Sequence, residues 1–258
     1  MISYTNGGAS ISIQGQETLG VDAGKEYERV VVGTLDTIQC SQVGKLLVQS
    51  LQRQLTIVPY AGTGLNAQAI PDSTRAAGEK GAIQYSKGVM QVKNGAPLRY
   101  SRGGGSSSTI QFTPTLFQTS GVADKTLQMI RAGLRRDEIL FHEMTHATHH
   151  MAGKMNRSDA PPGFDSKEEF WAIMLTNVYA SAWNRPLRKN HHGHRFISLP
   201  DAQAFFANYS TMVDWMSRDM PVLSRGIADL AWIAFNPLRD SYVRRTTFSV
   251  TSQQTVIR

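Results

Sequence analysis

The stretch EILFHEMTHATHHMAG, residues 138–153, constrains this chain more than any other. Within it His142 and His146 stand four positions apart, with Glu143 beside the first. Positions i and i+4 lie one above the other on an α-helix, so two imidazoles there share a face and can close on one metal ion. The flanking residues suit that helix. Asp137 and Glu138 belong in a first turn, where negative charge meets the positive end of the dipole. Ile139, Leu140, Met144 and Met151 supply apolar packing, and Gly153 is a natural C′ residue. A helix over about 137–152 with the motif at its middle is the expectation.

On such a helix His142 and His146 hold Zn²⁺, and Glu143 reaches a water in the open coordination position as a general base. This is the HExxH arrangement of metallopeptidases. The other two histidines of the stretch stand apart from it. An extended three-histidine site needs Gly at 149 and His at 152, where this chain has His149 and Ala152. His149 and His150 are expected in exposed or hydrogen-bonded surface roles, with His149 near enough to the metal-bearing face to offer it support as the alternative. A catalytic zinc takes three protein ligands and a water, so a third ligand must come from elsewhere. The helical segment DSKEEFWAIMLTNVYASAWNRPLR, 165–188, carries Glu168 and Glu169 in its first turns, behind Asp165 or Ser166 as cap. Glu169 is preferred. Its face carries Ala172, Ile173, Thr176 and Asn177, modest in size and partly polar, whereas Glu168 shares a face with Trp171, Leu175 and Tyr179, which reads as core. All seven histidines fall between 142 and 194. The second group, His191, His192 and His194, can be a further metal site, can carry an oxyanion-stabilising side chain, or can be a solvated basic loop.

The rest of the chain reads as a small sheet followed by helices. Residues 1–24 are rich in Gly, Ser, Thr and Gln and form a loosely ordered leader with one short strand, ASISIQ. YERVVVGTLDTI is strand or early helix, SQVGKLLVQSLQRQ a helix capped by Ser41, and LTIVPY (55–60) a strand. Residues 61–82 make a long loop, AIQYSKGVMQVKNG a hairpin with Asn94-Gly95 as its turn pair, SRGGGSSST (101–109) a flexible loop, and TIQFTP (109–114) a strand. Helices follow near 122–135, 137–152, 166–184, 199–217 and 221–234. The expected fold class is α+β: a small mixed sheet in the N-terminal half packed on a helical half that carries the HExxH helix and a second ligand-bearing helix. Residues 25–258 are expected to form one catalytic domain, with a helical C-terminal extension from about 195.

Composition narrows the classes. With 41% hydrophobic and 18% charged residues the chain should be globular. Its net charge is +7, but Lys and Arg form no dense run, so nucleic acid is not an expected partner. The lone Cys40 excludes an intramolecular disulfide framework and any Cys-rich zinc knuckle. No apolar run reaches the ~20 residues of a membrane span. MISYTNGGASISIQGQ lacks the basic and apolar regions of a secretory signal peptide.

Four pieces run in order from about residue 38 to 193: IQCSQVGKLLVQSLQRQLTIVPY, IQFTP, FHEMTHATHHMAG and EEFWAIMLTNVYASAWNRPLRKNHHG. Together they resemble the gluzincin side of the zinc peptidases and, more narrowly, the bacterial effector metallopeptidases of the M91 type, which are injected toxins or virulence factors. The resemblance implies a zincin-like fold, zinc on His142, His146 and one glutamate of the 168–169 pair, and Glu143 as base. The family's Glu-x-x-Ala spacing favours Glu169, with Ala172 three residues on. Arg188, His191 and Gly193 are similar to an Arg-x-x-Tyr-x-Gly stretch of such toxins; His191 stands where Tyr is usual, as the residue for a transition-state role. The resemblance further implies a zinc-dependent endopeptidase, secreted without a standard signal peptide and acting on a protein or peptide substrate in a target cell. Its expected partners include a secretion-system carrier or an immunity protein. TIQFTP is the expected edge strand on which an extended peptide aligns. Two rivals stand beside this. One is a basic binding protein with a structural zinc, motivated by Arg185, Arg188, Lys189, Arg195, Arg239, Arg244 and Arg245. The other is a zinc amidase acting on cell-wall peptide.

Overall fold

Short β-branched runs with one apolar face need neighbours to bury it, and the first half of the chain supplies them. The computed structural model describes residues 1–6, 9–60, 67–80, 83–86, 89–92, 99–100, 103–114 and 132–244. Strands β1 (Ile2–Asn6) and β2 (Ala9–Ile13) form an antiparallel pair. The short helix α1 (Gln16–Leu19), the long α2 (Val21–Gln39) and α3 (Gln42–Gln49) lead into β3 (Leu55–Val58). Then come β4 (Ala67–Pro71), α4 (Thr74–Ala77), β5 (Glu79–Lys80), the hairpin β6 (Ile83–Ser86) and β7 (Val89–Val92), β8 (Arg99–Tyr100) and β9 (Ser108–Phe112). The main sheet has the order β1-β2-β3-β9-β4. Its β2–β3 and β3–β9 pairs are parallel and its β4–β9 pair is antiparallel. The register sets Ile13, Ile57 and Ile110 in one row, all fully buried.

Helices pack on that row. Tyr27, Val31, Leu35 and Ile38 recur at helical spacing along α2 and are buried. The second half is built on α5 (Arg136–Ala152) and α6 (Lys167–Ala182), which pack on each other with Phe141 stacked on Tyr179 at 4.5 Å. A two-stranded hairpin, β10 (Leu187–Arg188) and β11 (Phe196–Ile197), precedes α7 (Leu199–Asn208), α8 (Ser210–Asp219) and α9 (Pro221–Ala228); residues 237–244 are also helical. The class is the α+β one expected, with a small mixed sheet first and helices after.

Several local expectations are corrected. Residues 1–24 are no loose leader: β1 and β2 belong to the main sheet, and Ile11 and Ile13 lie in the core. The segment 21–39 is helix throughout, because its apolar residues repeat at helical rather than alternating spacing. Within 61–82 the described part holds β4 and α4, not a plain loop. The hairpin β6–β7 closes between Ser86 and Val89; Asn94-Gly95 and most of the helix expected at 122–135 lie outside the described residues. The helix expected at 199–217 breaks at Tyr209, and the one expected at 221–234 ends at Ala228.

The glycine-rich run is pinned where it is described. Gly103 N–H donates to Gly153 O at 2.8 Å, Gly105 N–H to Ala76 O at 2.8 Å, and Ser106 N–H to His150 O at 2.9 Å. A Cβ on Gly103 would lie 1.9 Å from Ala76 O, so the glycine is there for close backbone approach rather than for freedom.

Candidate functional site

Helix α5 is unusual in having almost no solvent face: residues 137–151 are all buried. Buried polar groups require partners, and nearly every one on this helix has one. Asp137 accepts from Tyr179 Oη (2.7 Å) and Arg185 Nη1 (2.6 Å), and Glu138 accepts from the Arg135 amide (3.2 Å). Gly153 ends the helix in the left-handed conformation, φ 67°. Ser166 caps α6 and accepts from the Glu169 amide. The two helices thus hold the motif and the glutamate pair on rigid elements that face each other.

Three donors converge there. His142 Nε2 lies 3.1 Å from Glu169 Oε2 and 3.2 Å from His146 Nε2, and His146 Nε2 lies 3.5 Å from Glu169 Oε1. A tetrahedral Zn²⁺ with bonds of about 2.0–2.1 Å sets its ligand atoms about 3.3 Å apart, so the triad has the spacing of three corners of such a site. Two imidazoles and a carboxylate also suit zinc chemically. The residues therefore fit the ion.

Glu168, the neighbour, turns away from that point. Its Oε2 accepts from His149 Nδ1 at 2.8 Å and lies 3.5 Å from His146 Nδ1, while Oε1 accepts from the Asn156 amide at 2.6 Å. A carboxylate on the far nitrogen of a ligating histidine fixes its tautomer and ring orientation. Burial pushes both carboxyls upward, but the surrounding histidines win: His149 and His146 hold Glu168, and His146 and His142 hold Glu169, well below the ordinary carboxylate range. Burial lowers His142 to about 3, leaving it neutral and able to offer a lone pair.

Glu143 lines a cleft of about 410 Å³ together with His142, His146 and Glu169, and Ala67, Gln68 and Ala69 of β4 form part of its wall. Burial, reinforced by Glu169, raises its carboxyl to about 7 against the pull of His146 and a hydrogen bond from the Ala69 amide. The expected edge strand is corrected here. TIQFTP forms β9, an interior strand between β3 and β4, and the edge beside the cleft is β4.

His191 reaches the same cluster from the β10–β11 loop. Its Nε2 is 3.2 Å from Glu169 Oε2, its ring stacks on His142 at 6.2 Å, and its Nδ1 donates to Asp165 Oδ2 at 2.6 Å. Buried Arg188 clamps the loop by donating to Asn190 O (2.9 Å) and to His191 O. His192 meets Asp165 instead, and His194 Nδ1 meets Ala132 O at 3.2 Å. His149 and His150 are buried, against the surface position expected: His149 is held by Glu168, and His150 Nδ1 by Ser108 Oγ at 3.0 Å. His142 Nδ1 and His149 Nε2 meet no hydrogen-bond partner among the described residues. Sequence reasoning missed three contributors: Asp165 as the partner of His191, Glu168 as the support of His146 and His149, and β4 as the cleft wall. A helix-cap position, a doubled glutamate and an Ala-Gln-Ala strand carried no signal of these roles.

Neither the curated proteins nor the solved structures yielded a match to this chain. A family model does match: Peptidase_M91, described as effector protein, covers residues 15–176, which include α5 with His142, Glu143 and His146 and the start of α6 with Glu169. The match spans most of the chain, and the protein belongs to the M91 peptidase family of effector proteins.

Proposed function

We propose that the protein is a zinc-dependent endopeptidase, an effector that cleaves a protein inside a target cell. The observation that carries this is the tetrahedral spacing of His142 Nε2, His146 Nε2 and Glu169, with Glu143 beside them and the sheet edge β4 along the cleft. Bound Zn²⁺ supplies Lewis acidity to a water and to the scissile carbonyl. Glu143, raised to about 7, takes the proton of the attacking water and passes it to the leaving amine. The edge of β4, which pairs with no further strand among the described residues, aligns an extended peptide by main-chain pairing. His191, oriented by Asp165 and clamped through Arg188, presents Nε2 at the rim, where charge develops on the carbonyl oxygen.

A nucleic-acid reading is disfavoured because four of the six arginines that suggest it are engaged by other groups of the protein. Arg185 pairs with Asp137, Arg188 holds loop carbonyls, Arg239 Nη1 donates to Ala231 O and Arg244 reaches Asp214. No described helix is long and apolar enough to cross a membrane.

The experiment compares wild type with Glu143→Gln on a proteome-derived peptide library. The variant should keep its metal and lose about 10²–10⁴-fold in cleavage. Full cleavage by the variant removes the mechanism.

A further inference from the structure

Outside the first cluster, one group of metal-ligating side chains remains unassigned among the described residues. Asp165 Oδ2 lies 2.6 Å from His191 Nδ1, and Asp165 Oδ1 lies 3.1 Å from His192 Nε2. One carboxylate thus spreads its two oxygens over two imidazoles, and the three side chains each bring a donor atom within 4.8 Å of the others. We propose that Asp165, His191 and His192 form a second site for a divalent transition-metal ion, joined to the first cluster through His191.

The site is built rather than accidental. The loop that carries both histidines is closed by the Lys189 N–H to Arg195 O bond (2.8 Å) and tied to the segment before Asp165 by the His191 N–H to Gly163 O bond (2.9 Å). Arg188 holds the carbonyls of Asn190 and His191, and Gly193 and His194 turn the chain back with φ of 75° and 50°. Preorganisation of this kind removes much of the ordering cost of binding. Two imidazoles with one carboxylate favour Zn²⁺, Co²⁺, Ni²⁺ or Cu²⁺ over Mg²⁺ or Ca²⁺, which prefer oxygen. Asp165 and His192 are exposed, so water can complete the coordination sphere.

Occupancy changes what the first cluster sees. Asp165 Oδ2 and His191 Nδ1 stand 2.6 Å apart, the spacing of a hydrogen bond. A metal ion with bonds of about 2.0–2.1 Å needs its ligand atoms about 3.3 Å apart. An ion held by both groups therefore replaces that hydrogen bond and shifts the His191 ring, whose Nε2 lies 3.2 Å from Glu169. Under the peptidase reading, on which this consequence rests, a second cation would lower turnover by withdrawing His191 from its rim position.

The test titrates metal-free protein with Co²⁺ and follows stoichiometry by calorimetry and by the visible absorption of the bound ion. Wild type should take two equivalents, the second more weakly. His192→Ala should lose the second equivalent, its affinity falling by at least about 10-fold, and keep the first. His142→Ala should lose the first and keep the second. A wild type that takes one equivalent, or a His192→Ala that takes two with unaltered affinities, overturns the proposal. Peptide cleavage is read in parallel: the second equivalent should inhibit wild type and spare His192→Ala. Two equivalents bound with no cleavage by any form leaves the second site standing and removes the peptidase reading. Metal-dependent cleavage with one equivalent bound does the reverse.

Discussion

Glu168 and Glu169 are neighbours in the chain and answer to different partners. Glu169 lies among the Nε2 atoms of His142, His146 and His191, whereas Glu168 is saturated by His149, His146 and the Asn156 amide. The two should therefore separate on substitution. Glu169→Gln is expected to come off a metal-affinity measurement with no retained zinc. Glu168→Gln should retain it with affinity reduced about 10–100-fold, the usual cost of an outer partner. Metal content after dialysis against a graded chelator decides it, and the reverse ranking would falsify the assignment. The sequence preference for Glu169 rested on a contrast of helix faces that the structure does not support: Ala172, Ile173, Thr176 and Asn177 are as buried as Trp171, Leu175 and Tyr179. What separates the two glutamates is the location of their partners in space. The partners of His149 and His150 were invisible for the same reason, since Glu168 is 19 residues from His149 and Ser108 is 42 residues from His150.

Among the elements, α5 was the most legible, because its acidic first turn, its i, i+4 histidines and its C′ glycine all point to one helix. Its burial on every side was not, because its residues read as half polar; the polar groups are matched by other elements. One such match has a pH signature. Burial lowers His150 to about 3, outweighing Glu168, while the unfolded chain titrates near its ordinary 6.5. Below 6.5 the unfolded chain takes up a proton that the folded one refuses. The contribution is therefore present above pH 6.5 and is lost as pH falls toward 3, at up to about 1.4 kcal/mol per unit. His150→Asn, which can still reach Ser108, should flatten the slope of unfolding free energy between pH 6.5 and 4.5. Equal slopes in denaturant melts of the two proteins would refute this. Strand β4 was unreadable because AQAIP has little β propensity; it is a strand by virtue of pairing with β9 across Ala67↔Phe112 to Pro71↔Ser108. The glycine run misled in the opposite sense. Composition there suggests freedom, while a Cβ would lie 1.9 Å from Ala76 O at Gly103 and 2.1 Å from Met151 O at Gly105.

At the scale of the whole molecule, the order of sheet then helices was readable from the switch of hydrophobic period, but the closure of the sheet was not. β2 pairs in parallel with β3 across the intervening helices α1, α2 and α3, a long-range contact that no local pattern encodes. The family match ends at residue 176, before the loop that brings Arg188, His191 and His192 to the cleft and before α7 to α9. His142, Glu143, His146 and Glu169 fall within the matched region, and His191 falls beyond it. We propose that this arrangement holds one catalytic zinc with an open position. Anomalous diffraction at the zinc edge, from crystals of protein purified without chelator, checks this. A strong peak is expected about 2.0–2.2 Å from His142 Nε2, His146 Nε2 and a Glu169 oxygen, with the remaining position open to water. No peak there, or an ion closed by four protein ligands, would contradict it.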